Sequence, residues 1–333
     1  MTGRHRAFAF ELFEPTNKSI EWLAGKGVEL TLGRRMWEPF RRFSEEEFVA
    51  TARGHQGLMG AGGIRITAKM MDALPELRCI SKFGIGVDTI DVDAATARGI
   101  LVGNTPEESQ VTTVCEHAIA LMLALRKRLL DWTPEFMRKG GWRGLIHSTA
   151  MLGTTVGIVG LGRIGRGVAE RLGGWGVRIL ACDPFVTEAP RGVTMTDLAT
   201  LLTQSDTITL HATPTPENRK LIDAAAFARM KPEAILVNTG RGWLVDYPAL
   251  RDALREQRIA GAALDVYDVE PPDPADPLFT MPNVIATPHV AAWTFEGIQN
   301  VGWHGARNLW AMLSGEGVAD IVNPEARRVR ARA

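Results

Sequence analysis

Along the first hundred residues, short apolar runs alternate with longer stretches whose apolar positions recur at helical spacing. The runs AFAFELF (7–13), VELTL (28–32), GLMGA (57–61), LRCIS (77–81) and GILVG (99–103) predict strands. The stretches near 16–26, 44–53, 67–74 and 91–98 predict the helices between them. Strand followed by helix, repeated, is the rhythm of a parallel sheet with crossover helices. Thr105-Pro106 interrupts it, because a residue before proline is pushed out of helical geometry. The next run, Val114 to Leu130, is apolar on nearly all sides and predicts a long, deeply buried helix.

After a Trp- and Gly-rich connector (132–144), the rhythm restarts with TTVGIVG (154–160), VRILACD (177–183), DTITLHA (206–212), AILVNT (234–239), IAGAALDV (259–266) and NVIAT (283–287). These predict six strands and a second doubly wound sheet. An amphipathic stretch at 295–313 comes next and is expected to pack back on the first domain, which puts the boundaries near 105 and 294. The basic end, RRVRARA, is expected to be frayed and solvated. No internal repeat or low-complexity segment is present.

At 333 residues the chain exceeds what one hydrophobic core usually supports, in keeping with two α/β domains. Its 45% hydrophobic and 23% charged residues exclude a disordered protein. Thirty-eight basic residues balance 38 acidic ones, so there is no global attraction to nucleic acid or anionic lipid, and neither is expected as a partner. The three cysteines, Cys79, Cys115 and Cys182, form no CxxC pair; no disulfide framework and no metal site are expected, and a reducing cytoplasm fits best. The beginning of the chain has no signal-peptide apolar region, and no run reaches the roughly 18 apolar residues that span a bilayer, so export and membrane insertion are not expected.

The most specific local signal is Gly160-Leu161-Gly162-Arg163-Ile164-Gly165, which comes after a Val/Ile strand and opens an amphipathic helix. Gly160 permits a tight turn, Gly162 lets a pyrophosphate approach the backbone, and Gly165 lets helix and strand pack closely. Asp183 stands at the end of the next strand, where its carboxylate can accept from a ribose diol and would repel a 2′-phosphate, favouring NAD over NADP. Three later strands each deliver polar residues at the same sheet edge: Arg241, then Asp265 and Glu270, then His289. Arginine can grip a carboxylate and polarise a carbonyl, histidine can exchange a proton with the developing alkoxide, and a carboxylate beside the imidazole favours its protonated form. His211, at a strand end, and His117, inside the apolar helix, read as structural.

The segments SKFGIGVDTIDVDAATARGILVGNTP (81–106), EHAIALMLAL (116–125), TVGIVGLGRIG (155–165), HATPTPENRKLI (211–222), VNTGRGWLVD (237–246), ALDVYDVEPP (263–272) and TPHVAAWT (287–294) together resemble the NAD-dependent D-isomer-specific 2-hydroxyacid dehydrogenases over essentially the whole chain. The resemblance implies two Rossmann-like doubly wound domains with an active-site cleft between them. Residues 1–105 plus 294–333 would form a flavodoxin-like substrate-binding domain, and 106–293 the NAD-binding Rossmann domain. It implies that Arg241 binds the substrate carboxylate and carbonyl, that Glu270 orients and charges His289, and that His289 exchanges the proton with the C2 oxygen. Arg163 and Ile164 would contact the pyrophosphate. Thr213, Asp265 and the backbone around Thr239 and Gly240 would contact the cofactor, Asp265 and that backbone by holding the nicotinamide amide. Gly84, Ile85 and Gly86 would offer backbone N–H groups to the substrate carboxylate, and domain closure would complete the site.

Two departures from the family pattern stand out. Gly240 occupies the place before the arginine where the family often has Ala, Ser or Cys, and a looser loop is expected. Ala61 stands where members acting on 3-phosphoglycerate generally carry arginine, which argues against a phosphorylated substrate. Glu270 stands where the formate-type relatives place glutamine. The reading is therefore a cytoplasmic NAD-dependent oxidoreductase for a small 2-oxo or 2-hydroxy acid, with a homodimer built through the second domain and the 126–150 connector as an arm. The alternative is an NAD(H)-sensing binding protein resembling the corepressors that share this fold, against which stands the lack of a basic DNA-reading element. Trp293, four residues beyond His289, is a candidate to line the substrate pocket.

Overall fold

Five strands, β1 (His5–Leu12), β2 (Val28–Arg35), β3 (Gly57–Gly60), β4 (Cys79–Lys82) and β5 (Leu101–Gly103), form a fully parallel sheet in the order β2-β1-β3-β4-β5. The structure is a computed structural model and describes residues 5–12, 16–35, 38, 43–142 and 147–330. The chain divides into two units, Met1–Gln110 with Trp293–Ala333, and Val111–Ala292.

In the first unit, alternate residues of each strand serve opposite faces of the sheet. Phe8, Phe10, Leu58, Ile80 and Val102 meet Phe48, Met70 and Leu74 on one face. Ala7, Ala9, Met59, Cys79 and Leu101 meet Val301, Ala306, Leu309 and Met312 of the helix Phe295–Ser314 on the other. The smaller side chains of this second face admit the helix closely: a Cβ on Gly57 would lie 2.7 Å from Leu309 Cδ1. Thr294 caps that helix by accepting from the Gly297 amide, and Gly315, with φ 79°, ends it. The basic tail differs from expectation. Residues Ala326–Arg330 are helical, and 331–333 lie outside the described residues. The reason lies just upstream, where fully buried Asn323 accepts from the Val102 amide at 2.7 Å and donates to the Ile100 carbonyl at 2.9 Å, pinning this segment to β5.

The second unit holds seven parallel strands rather than six: β6 (Thr155–Val159), β7 (Arg178–Cys182), β8 (Val193–Met195), β9 (Thr207–Leu210), β10 (Ile235–Asn238), β11 (Gly261–Leu264) and β12 (Val284–Ala286). The order is β12-β11-β10-β9-β6-β7-β8. The additional β8 is a three-residue edge strand without an apolar run, so its sequence carries no strand signal. The central strands are buried on both faces, as parallel sheets require. Because β6 lies between β7 and β9, the loops leaving β6 and β9 diverge at a topological switch point, the place where open α/β sheets bind ligands.

The long helix runs Glu108–Arg126 rather than 114–130. Arg128 adopts the left-handed conformation, at φ 52°, and Leu129 and Leu130 are exposed, so the apolar pattern outlasts the helix that it suggested. Within the connector, Thr133 caps a short helix, Pro134–Arg138. Residues 143–146 of the expected arm lie outside the described residues. Among the described residues no helix is long and apolar enough to cross a membrane.

Candidate active site

The chain leaves β6 through Gly160-Leu161-Gly162 into the helix Arg163–Leu172. Gly160 has φ 91°, and a Cβ there would lie 2.4 Å from the Ala212 amide nitrogen, so both conformation and space require glycine. A Cβ on Gly165 would lie 2.1 Å from the Gly160 carbonyl oxygen, the close packing of helix on strand that the glycine spacing predicts. At Gly162, the N-cap, nothing among the described residues lies within 4 Å of an added Cβ, and the cap residue itself has no side chain to close the helix end. That open helix end can receive a pyrophosphate. Arg163 is exposed and Ile164 half-buried in the same turn.

Asp183 comes after β7, and its carboxylate accepts from the Leu161 amide at 2.7 Å and from the Phe185 amide at 2.9 Å. It braces the glycine turn while each oxygen keeps acceptor capacity for a ribose hydroxyl. Across the switch point, the His211 amide donates to the Val159 carbonyl at 2.7 Å. Its Nε2 lies 2.9 Å from Thr209 Oγ1, and its buried Nδ1 has no hydrogen-bond partner among the described residues. Burial pushes this imidazole down to about 4, which leaves it neutral at neutral pH. Thr239, one residue beyond the paired Asn238 and Leu210, is likewise buried with an unpartnered hydroxyl. Thr213 is exposed, its carbonyl accepting from Asn218 Nδ2 at 2.8 Å. An open glycine cradle and two orphaned polar atoms at one sheet edge fit a bound dinucleotide such as NAD.

The remaining polar groups assemble after β10, β11 and β12. Fully buried Asn238 accepts from the Gly240 amide at 3.0 Å and donates to the Arg241 carbonyl at 3.0 Å, bracketing the loop that carries Arg241. A Cβ on Gly240 would meet the Leu210 carbonyl oxygen at 2.9 Å. Glycine thus fits a tight place, and the looseness expected of it is offset by the Asn238 bracket. One position beyond Arg241, a Cβ at Gly242 would lie 1.9 Å from the Tyr267 carbonyl carbon, which sets the Arg241 loop directly against the loop leading to Glu270.

Glu270 Oε1 accepts from the Tyr267 amide at 3.0 Å, and Oε2 lies 2.7 Å from His289 Nδ1. Burial pushes the Glu270 carboxyl up, but the hydrogen bond and charge of His289, the Tyr267 amide and the charge of Arg241 outweigh it and hold the group below the usual carboxylate range. With Nδ1 occupied, His289 Nε2 has no partner among the described residues. His289 itself sits in the left-handed region at φ 55°, a strain of roughly 1–3 kcal/mol for a residue with a side chain.

Asp265 supplies what holds that strained loop. The side chain has 0% exposure; its Oδ1 accepts from Thr287 Oγ1 at 2.6 Å and the Val290 amide at 2.8 Å, and its Oδ2 from the Ala291 amide at 2.9 Å. The described bonds of Asp265 go to the loop bearing His289, a supporting role beside the one expected of it toward the nicotinamide amide. His117 joins the group with Nε2 3.2 Å from Thr287 Oγ1 and 3.7 Å from Asp265 Oδ1. The sequence left Asn238, Thr287 and His117 out of the site. Asn238 and Thr287 flank the chosen residues within their own blocks, but His117 is 170 residues from Thr287 and only the fold brings them together.

In the first unit, Gly84 has φ 100° and exchanges two hydrogen bonds with buried Thr105: its amide donates to Thr105 Oγ1 at 2.7 Å and its carbonyl accepts from the Thr105 amide at 3.0 Å. The Gly84 amide is thus committed within the fold. Those of Ile85 and Gly86 carry no hydrogen bond among the described residues.

A parallel α/β unit whose glycine turn opens at a switch point is a dinucleotide-binding module. Residues 119–291 match the family described as D-isomer specific 2-hydroxyacid dehydrogenase, NAD binding domain. D-3-phosphoglycerate dehydrogenase of Archaeoglobus fulgidus is 37% identical over 312 residues, 92% of this chain and 58% of that protein. Glyoxylate reductase of Korarchaeum cryptofilum is 41% identical over 273 residues, 80% of this chain and 82% of that one. The NADPH-dependent glyoxylate/hydroxypyruvate reductase of Sinorhizobium meliloti, solved with NADP and malonate, superposes with a TM-score of 0.83 at 31% identity over 98% of each chain. The chain spans little more than half the length of the D-3-phosphoglycerate dehydrogenases it matches. The protein belongs to the D-isomer specific 2-hydroxyacid dehydrogenase family, and Val111–Ala292 contains its NAD-binding domain.

Proposed function

We infer that this protein interconverts a small, unphosphorylated 2-oxo acid and the corresponding D-2-hydroxy acid with NAD(H). The observation that carries the reading is the 2.7 Å pair of Glu270 and His289, in which Nε2 has no partner among the described residues and the loop leading to Glu270 lies against the loop that carries Arg241. When bound, NAD(H) donates or accepts the hydride. Arg241 supplies the planar fork that grips the carboxylate and polarises the adjacent carbonyl. In reduction His289 Nε2 gives a proton to the C2 oxygen, and in oxidation it takes that proton back, while Glu270 holds the opposite ring nitrogen. Ile85 and Gly86 add free amides suited to a carboxylate, and the first unit is assigned to substrate recognition.

NAD rather than NADP is the cofactor favoured by the Asp183 carboxylate, although a structural relative is NADPH-dependent. Ala61, buried and uncharged after β3, offers nothing to a phosphate, which favours a glyoxylate-like substrate over a phosphoglycerate. A homodimer in the cytoplasm is part of the same reading. Exposed Leu129, Leu130, Met137, Trp142 and Leu152 around the connector support the dimer, and three free cysteines fit the compartment.

The test is NADH oxidation with glyoxylate, hydroxypyruvate, pyruvate, phenylpyruvate, 2-oxoglutarate and 3-phosphohydroxypyruvate. At least one unphosphorylated acid is expected to give the highest kcat/KM. Arg241→Lys should raise its KM and lower turnover while NADH affinity, read by fluorescence titration, is unchanged. Absence of turnover with every acid would overturn the reading.

A further inference from the structure

Apart from the reacting groups, the first unit carries a polar clasp centred on His304, a residue of the helix Phe295–Ser314. Its Nδ1 lies 2.7 Å from Glu107 Oε1 and its Nε2 2.6 Å from Asp320 Oδ2. The clasp ties the residue before the helix Glu108–Arg126 to the helix Phe295–Ser314, 197 residues further on, and to the segment just beyond that helix.

Each tie continues toward one loop. One turn beyond His304, fully buried Asn308 accepts from the Asp320 amide at 3.0 Å and donates to the Asn104 carbonyl at 2.6 Å. The Asn104 amide donates back to the Asp320 carbonyl at 3.0 Å, and Asn104 Nδ2 donates to the Ile85 carbonyl at 2.7 Å. Beside it, the Glu107 amide donates to the Thr105 carbonyl at 2.9 Å, and Thr105 exchanges its two bonds with Gly84. Both carboxylates held by His304 therefore belong to residues whose backbones are bonded to Asn104 and Thr105, the two residues that hold the Gly84–Gly86 loop.

We propose that His304 is a positioning residue for substrate recognition: by clasping Glu107 and Asp320 it fixes Asn104 and Thr105, and through them keeps the Ile85 and Gly86 amides placed for a carboxylate. The proposal rests on the function inferred above. A cavity of about 290 Å³ lined by Glu107, Asn300, Trp303 and Arg307 gives water access to one side of the clasp. His304 and Glu107 are largely buried, so the milder Glu107→Gln accompanies His304→Ala, and the β3 amides report any loss of global stability.

The experiment uses the full chain with His304→Ala and the milder Glu107→Gln, read two ways. Hydrogen–deuterium exchange resolved at Gly84 should accelerate by about tenfold in His304→Ala, the scale of one hydrogen bond's net worth, and less in Glu107→Gln, with the β3 amides unchanged. Steady-state kinetics with the preferred oxo acid should show KM raised about tenfold, kcat within about threefold, and NADH affinity unaltered. Unchanged exchange at Gly84 in both variants overturns the proposal, as does a loss spread equally over KM, kcat, NADH affinity and the β3 amides. Should the wild-type protein turn over no oxo acid, the inferred function fails, and exchange at Gly84 alone decides whether the clasp holds the loop.

Discussion

His289 Nδ1 lies 2.7 Å from Glu270 Oε2, and its Nε2 has no partner among the described residues. The Glu270 carboxyl is held below its ordinary range, so its stabilising contribution is complete above about pH 4.3 and is lost as pH falls through the lowered folded value. Glu270→Gln should reduce stability most near neutral pH, the difference from wild type closing below that range in urea titrations. The same variant should lower kcat for reduction by about tenfold or more, and His289→Ala by roughly 10²- to 10⁴-fold.

Asp265→Asn tests the support beneath the histidine. The carboxylate accepts three hydrogen bonds from the His289 loop, and an amide would turn a donor toward at least one of those donors. The expected result is a loss of roughly 1–3 kcal/mol in unfolding free energy with a fall in kcat larger than any change in NADH affinity. Unaltered kcat would detach Asp265 from the histidine.

Asp183→Ser is expected to narrow the preference for NADH over NADPH by removing the charge opposed to a 2′-phosphate. Because Asp183 also accepts from the Leu161 amide, NADH affinity should fall as well, which separates this variant from a pure specificity switch. Kinetics with both cofactors report the two effects, and a wild-type preference for NADPH would refute the assignment.

Gly242→Ala places a Cβ 1.9 Å from the Tyr267 backbone, where no flexible side chain is available to yield. Forcing the Arg241 and Glu270 loops apart should cost about 1–3 kcal/mol of stability and most of the turnover. Equal activity in wild type and variant would mean that the loops need not touch.

His211 gives a pH signature of a different kind. Its folded value is lowered to about 4, so between that pH and about 6.5 the unfolded chain binds more protons than the folded one and stability rises with pH. Acidification over this window should destabilise the wild type more than His211→Gln, measured by thermal unfolding. Parallel curves would show that the ring is not held neutral.

The doubly wound folds were legible because parallel strands buried on both faces write themselves as apolar runs, and the glycine turn because its spacing answers to steric needs of the backbone. Glu270 and His289 were legible as a pair from the family blocks that contain them. The tie from Asp265 to the His289 loop was not, since a carboxylate at a strand end carries no mark of the loop that it braces. Nor was the clasp of His304, whose partners at 107 and 320 meet it only after both sheet and terminal helix are in place. The edge strand β8 escaped because three residues without an apolar run have no period to detect.

The first unit is discontinuous in sequence, with the second unit inserted between Gln110 and Trp293. On the ribosome, the whole of Val111–Ala292 is synthesised before the helix that covers one face of the first sheet and before the Asn323 that pins its edge. The inserted unit can acquire its structure during translation, while the earlier strands wait with an apolar face uncovered. A chain ending at residue 292 and released from the ribosome should therefore hold a nucleotide-binding half already formed and a protease-sensitive half still lacking the helix Phe295–Ser314.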